Sequence, residues 1–139
     1  MIFKTALITG GASGLGYEFA TLLAKDSYHL ILIDIDSKKL KETKKELEDK
    51  NDTQVTTITK DMSTHNCASE LFEEIKETPI DVLINNAGFG LYGHFHNTDW
   101  EREASMLNLH IISTTHLTKL ILKGMVERGQ GKILNMSSL

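Results

Sequence analysis

A single cysteine, Cys67, stands among 139 residues, so no disulfide can close within the chain, and a reducing, cytoplasmic setting is the expectation. No apolar run approaches the roughly 18 residues that a bilayer requires. The opening Met1-Ile2-Phe3-Lys4 is not followed by the long apolar stretch of a secretory leader, so membrane insertion is not expected. Positive charge is also short. With 15 Lys and Arg against 19 Asp and Glu the net charge is −4, which gives no basic field for a nucleic acid partner. Lys38, Lys39, Lys41, Lys44 and Lys45 do cluster, but Glu42, Glu46, Glu48 and Asp49 interleave with them, as on a solvated helix face laced with i,i+4 pairs. His94 and His96 lack a third ligand at convincing spacing, so no metal is expected. Internal repeats and linkers are missing as well. Hydrophobic residues at 40% and charged residues at 24% suit an ordinary globular chain, and one domain over residues 1–139 is expected.

The apolar patterning alternates between two kinds of element. Residues 5–9 form a short apolar run ending at a glycine cluster, and from Leu15 the apolar positions Phe19, Leu22 and Leu23 recur at helical spacing. Residues 30–33 are continuously apolar before Asp34, as in a strand buried on both faces. Ser37 could cap a charged helix reaching about residue 50. Residues 54–59 have strand propensity, a helix is predicted over 64–76 and closed by Pro79, and residues 80–84 make the next strand. A glycine-rich loop over residues 88–93 follows. Thr98 and Glu101 have the spacing of a capping box, opening one long helix over about 100–127 that ends before Gly129. Phe95 and Trp100 read as anchors of that helix entrance and Tyr92 as a packing residue rather than a substrate contact. Residues 132–136 are the final strand. Strand and helix in alternation predict an α/β fold with an open, doubly wound parallel sheet and helices on both faces.

Chemistry concentrates at the strand ends. Thr9-Gly10-Gly11-Ala12-Ser13-Gly14-Leu15-Gly16 lies where strand passes to helix. There Gly10 permits a tight turn, Gly14 lets a pyrophosphate approach the backbone, and Gly16 lets the helix pack closely. Ser13 and Leu15 complete the turn, and the open N–H groups at the helix start suit negative charge. A purely structural connection is the alternative. Asp34 stands near the offset of about 20 residues at which an acid reaches the adenosine ribose. A carboxylate there accepts from both ribose hydroxyls and repels a 2′-phosphate, and neither Ser13 nor Ile35 is basic, so NAD(H) is expected over NADP(H). The alternative is that Asp34 only caps the following turn.

The glycine spacing, together with Asp61-Met62-Ser63, Asn85-Asn86-Ala87-Gly88 and the strand Gly131-Lys132-Ile133-Leu134-Asn135-Met136-Ser137-Ser138, resembles the short-chain dehydrogenase/reductase family. The resemblance runs along the whole chain but covers only about the first half of a typical member. It implies a Rossmann-like NAD(P)-binding fold whose C-terminal strands are missing. Asp61 would hold the adenine amino group, or else be a helix N-terminal acid, and the Met62 backbone would cover the ring. Asn86, Ala87 and Gly88 would line the path from adenosine ribose to nicotinamide. Ser138 would hydrogen-bond the carbonyl or alcohol oxygen of a small-molecule substrate during hydride transfer. His110, not Asn108, aligns with the asparagine that holds a proton-relay water; a buried structural histidine is the competing reading. The family's tyrosine, with a lysine four positions later, has no counterpart: Tyr17, Tyr28 and Tyr92 are followed at that spacing by Thr21, Leu32 and His96.

The expectation is therefore an N-terminal part of an oxidoreductase that interconverts an alcohol and a carbonyl, its parent a homodimer or tetramer. The chain alone would be inactive and bare one sheet edge to association. The alternative is a dinucleotide-binding module with a regulatory or interaction role. A methyltransferase with the same layered sheet would leave Asn85 to Gly88 and the serine strand unexplained.

Overall fold

The computed structural model describes residues 2–137. Five parallel strands, β1 (Thr5–Thr9), β2 (His29–Asp34), β3 (Val55–Thr59), β4 (Val82–Asn85) and β5 (Lys132–Asn135), lie in the order β3-β2-β1-β4-β5. The chain winds outward from β1 to β3, then crosses back and continues through β4 on the other side. This is the expected Rossmann-like order, and it leaves a crevice at the carboxyl ends of β1 and β4, where the winding reverses.

Each face of the sheet has its own core. Ala6 and Ile8 of β1 point toward α1 (Gly14–Lys25) and α2 (Ser37–Lys50), where they meet Ala20, Leu30, Leu32 and Leu47. Leu7 points the other way, into a cluster with Ile33, Leu71, Leu83, Leu117 and Ile121 beneath α3 (Cys67–Ile75) and α5 (Thr114–Arg128). All five residues of β1 are buried, which is why Ala6, Leu7 and Ile8 run continuously apolar between Thr5 and Thr9 rather than alternating with polar residues. Truncating Leu7 or Leu83 to alanine would cost about 2–5 kcal/mol. None of the described helices is long and apolar enough to cross a membrane.

Several boundaries differ from the sequence expectation. Asp36, not Ser37, caps α2, its carboxylate accepting from Lys39 N–H. The third helix starts at Cys67 rather than residue 64, because side chains tie the backbone into turns first: Asp61 Oδ1 accepts from Ser63 N–H and Thr64 Oγ1 donates to the Asp61 carbonyl. It ends at Ile75, ahead of Pro79. The capping box is also not formed. Asp99 caps α4 (Trp100–Leu107) by accepting from Arg102 N–H at 3.1 Å, while Thr98 Oγ1 donates to Glu103.

The long helix is in three parts, α4, a π-helical segment Asn108–Ser113, and α5. The residues following His110 are β-branched or hydroxylated, which weakens the α-helical preference. Thr114 Oγ1 donates back to the Leu109 carbonyl and occupies an acceptor freed by the wider turn.

Candidate functional site

The glycine turn sits at the mouth of the crevice. Gly10, at φ +67°, turns back so that its N–H and that of Gly11 both donate to the Ile33 carbonyl of β2. A Cβ on Gly16 would lie 2.0 Å from the Gly10 carbonyl oxygen and 2.6 Å from Asn86 Nδ2. Gly16 thus presses α1 onto the turn, and it does not itself border the cleft. Gly14 is the opposite case. A Cβ there would meet no protein atom within 4 Å, and Gly14 borders the cleft, so it leaves room that the fold does not use.

The start of α1 is electrostatically unfinished. Ser13 occupies the cap position but makes no side-chain cap, and the first turn holds no acid. By contrast α2 and α4 are both capped by aspartates. Open amide donors and the positive end of the helix therefore face a cleft of about 760 Å³, with Ser13, Gly14 and Leu15 on its wall. That is the physical requirement of an anion site.

Asp34 stands across from this helix end. Its Oδ2 accepts from Ala12 N–H and its Oδ1 from Asp36 N–H, each at 3.1 Å. The turn-capping reading is therefore true, and it does not exhaust the carboxylate. Each oxygen retains a lone pair, and Asp34 borders the cleft.

The paired asparagines brace the two central strands. Asn85 Nδ2 donates to Thr118 Oγ1 at 2.9 Å and to Asn135 Oδ1 at 2.8 Å, and Asn86 Nδ2 donates to the Gly10 carbonyl at 3.1 Å. Thr9 Oγ1 accepts from both Asn86 and Ala87 N–H at 3.0 Å. Buried amides in a core are tolerable only with such partners. Asn86, Ala87 and Gly88 border the cleft, as do Asp61 and Met62.

A glycine turn, an uncapped helix, an acid after β2 and braced asparagines after β4 thus share one cleft. A family model described as short chain dehydrogenase matches residues 4–139. The chain belongs to the short-chain dehydrogenase family.

Among short-chain dehydrogenase relatives, the ketoacyl reductase HetN of Nostoc sp. is 33% identical over 138 residues, covering 98% of this chain and 48% of that protein. The very-long-chain 3-oxoacyl-CoA reductase of Rattus norvegicus is 33% identical over 137 residues, covering 96% and 44%. Of solved structures, the bulky-bulky ketone specific alcohol dehydrogenase of Comamonas testosteroni superposes with a TM-score of 0.94 at 26% identity, covering 100% of this chain and 56% of that one. A Sphingobium yanoikuyae short-chain dehydrogenase in complex with NADPH gives 0.93 at 28% identity, covering 99% and 54%. The chain spans about half the length of the relatives it matches.

Of the residues expected from the short-chain dehydrogenase pattern, His110 stands apart from the cleft wall. Ser138 lies outside the described residues. His110 projects from the π-helical segment with its Nε2 3.0 Å from the Phe89 carbonyl oxygen and 3.3 Å from Phe89 N. It is hydrogen-bonded but exposed, which corrects the expectation of a buried structural histidine. Its ring occupies the space that a Cβ on Gly88 would need, 2.4 Å from Cε1. That contact gives Gly88 a packing reason to be glycine.

Other expectations are also corrected. Asp61 is not a first-turn acid of α3, since that helix starts at Cys67; its Oδ1 accepts from Ser63 N–H at 2.9 Å and Ser63 Oγ at 2.6 Å. Tyr92 is 95% exposed, Phe95 87% and Trp100 64%, so none of them packs or anchors as expected. His94 and His96 stack their rings, and no cluster of metal-ligand type exists among the described residues. Tyr17 donates to Glu46 Oε1 at 2.9 Å, and that bond holds its pKa above the ordinary value, the wrong direction for a proton donor near neutrality.

The sequence missed one wall of the cleft. Glu101, Arg102, Ser105 and Leu109 line it from α4 and the segment after it. The four-residue spacing of positions 101, 105 and 109 was the available signal, and its mixed polarity concealed it. Lys60, also on the wall, is neutralised by Glu70 at 3.1 Å and Glu74 at 3.9 Å.

Proposed function

We propose that residues 1–139 are the dinucleotide-binding domain of a nicotinamide-dependent oxidoreductase that interconverts an alcohol and a carbonyl on a small-molecule substrate, with NAD(H) preferred over NADP(H). The observation that carries this reading is the uncapped start of α1 facing Asp34 across one cleft. The NADPH held by the Sphingobium yanoikuyae relative supports a nicotinamide dinucleotide.

The cofactor supplies or accepts the hydride; the chain holds it. Amides of Gly14 and Leu15, which border the cleft, take the diphosphate, with Gly10 and Ser13 shaping the turn and Gly16 letting α1 pack against it. Asp34 accepts from the ribose hydroxyls, Asp61 from the adenine amino group, and the Met62 backbone covers the base. Asn86, Ala87 and Gly88 lead toward the nicotinamide. A 2′-phosphate would approach Asp34. Two unit charges about 4 Å apart interact by about 4 kcal/mol near a protein surface, so the repulsion would disfavour a 2′-phosphate beside this carboxylate.

Ser138 donates to the substrate oxygen and stabilises charge that develops there. His110 serves the proton relay. In the tautomer that carries its proton on Nε2, the ring donates to the Phe89 carbonyl and Nδ1 is open to accept from a relay water. Full-length protein carrying His110→Asn should show an altered pH–rate profile, and an unchanged profile removes the relay. Exposed Ile111, Ile112, Leu122 and Val126 support a homo-oligomeric parent.

A second reading is a dinucleotide-binding module without turnover, because the residues that share the cleft account by themselves for holding a cofactor. The mass of the native gene product, with an alcohol and carbonyl turnover assay, separates the two. For the cofactor, titration with NADH and NADPH should give tighter NADH binding, and Asp34→Ala should weaken NADH binding and narrow the gap. Tighter NADPH binding by the unaltered chain would defeat the preference.

A further inference from the structure

The π-helical segment changes which residues share a side of the long helix. On an α-helix, positions five apart diverge by about 140°, but the wider π turn brings them together. Asn108 Nδ2 accordingly donates to Ser113 Oγ at 3.4 Å. The same amide donates to the carbonyls of Ser63 at 2.8 Å and Thr64 at 3.2 Å. Behind it, the buried Ser113 Oγ lies 3.1 Å from the buried Cys67 Sγ, which donates to the Met62 carbonyl at 3.2 Å. A chain of contacts from Asn108 through Ser113 to Cys67 thus ends on the loop after β3, the two N–H groups of the amide being shared among three acceptors of which Ser113 is the most distant. Together with the direct bonds from Asn108 it holds the carbonyls of Met62, Ser63 and Thr64, which an ordinary surface loop would give to water.

Asp61 belongs to that same loop. Its Oδ1 is taken by Ser63 N–H and Ser63 Oγ, so the position of Ser63 sets the direction of the carboxylate. Ser63 is in turn held by Asn108.

We propose that Asn108, backed by Ser113 and Cys67, is a positioning residue for the adenine end of the cleft, and that it sets base selectivity through Asp61. The proposal rests on the dinucleotide reading above. Neither Asn108 nor Ser113 borders the cleft, so their effect on a ligand passes through the loop. A carboxylate aimed at the adenine amino group rejects a base that presents a carbonyl oxygen there, because the site then meets acceptor with acceptor.

The test compares NADH with its deaminated analogue, reduced nicotinamide hypoxanthine dinucleotide, by direct binding to the 139-residue chain. Unaltered protein should prefer NADH. Asn108→Ala removes the donors, and Asn108→Asp sets a carboxylate against two carbonyls. Each should lower the NADH-to-analogue affinity ratio about two- to tenfold, the worth of one net hydrogen bond, with cooperative melting retained. Ser113→Ala should lower the ratio in the same direction by less, and it carries the test if the Asn108 variants do not fold. A merely structural role would weaken both ligands equally; equal weakening or an unchanged ratio overturns the proposal while leaving the dinucleotide reading intact. If unaltered, folded protein binds neither ligand, the dinucleotide reading fails and the proposal falls with it.

Discussion

Gly14 and Gly16 stand two positions apart and fail in different ways when given a side chain. A methyl at Gly16 collides with backbone oxygen and with Asn86, so Gly16→Ala should destabilise the fold by about 1–3 kcal/mol through overpacking, read by urea denaturation. Gly14→Ala meets no protein atom, and its φ of +55° costs only about 1–2 kcal/mol; its larger effect should be on dinucleotide affinity. If Gly14→Ala bound NADH as well as unaltered protein does, the cleft would not be used as described. At this scale the glycines and paired asparagines were legible because few other roles explain such residues at a strand end. Thr9 was less so. A threonine closing a strand reads as ordinary β propensity, and its acceptance of two N–H groups appears only once β4 lies beside β1. Aromatic Tyr92, Phe95 and Trp100 misled because apolarity states what a side chain prefers and not whether a neighbour covers it.

The elements themselves followed from periodicity, and their ends did not. Caps at Asp36 and Asp99, each one position from the residue expected, depend on backbone angles that composition does not encode. The π-helical segment was illegible for a related reason: one extra residue in a turn leaves the surrounding apolar pattern nearly unchanged. Packing of α2 on β3 carries a pH signature. Glu48 accepts from Val55 N–H at 2.9 Å and from Lys44 Nζ at 3.1 Å. The Val55 bond foremost, and the lysine after it, hold its pKa below the ordinary value. A depressed folded-state pKa stabilises the fold above the ordinary carboxylate range, and that contribution is lost as pH falls through the depressed value. Urea melts between about pH 5 and pH 2 should therefore show a shallower acid loss for Glu48→Gln than for unaltered protein. Identical acid limbs would mean that this bond is not held in solution.

For the whole molecule, strand–helix alternation made a parallel α/β sheet legible, whereas the crossover to β4 rests on pairing that periodicity alone does not fix. β5 pairs with β4 and, among the described residues, has no strand on its other side. Beside it Phe19, Leu22, Val82, Ile84, Ile133 and Leu134 form an apolar groove of about 600 Å³. An open edge next to an apolar groove favours association, so sedimentation velocity should find the 139-residue chain self-associating with concentration, and Leu134→Lys should reduce this. A monomer at all concentrations would show that this face is tolerated in water. The central claim is that the crevice beside β1 grips a dinucleotide by the helix end at one side and by Asp34 at the other. Titration of ¹⁵N-labelled protein with NADH, followed by amide chemical shifts, tests it most directly. Shifts should concentrate at residues 10–16, 34, 61–62 and 86–88; perturbations confined to other regions, or none at millimolar NADH, would contradict it.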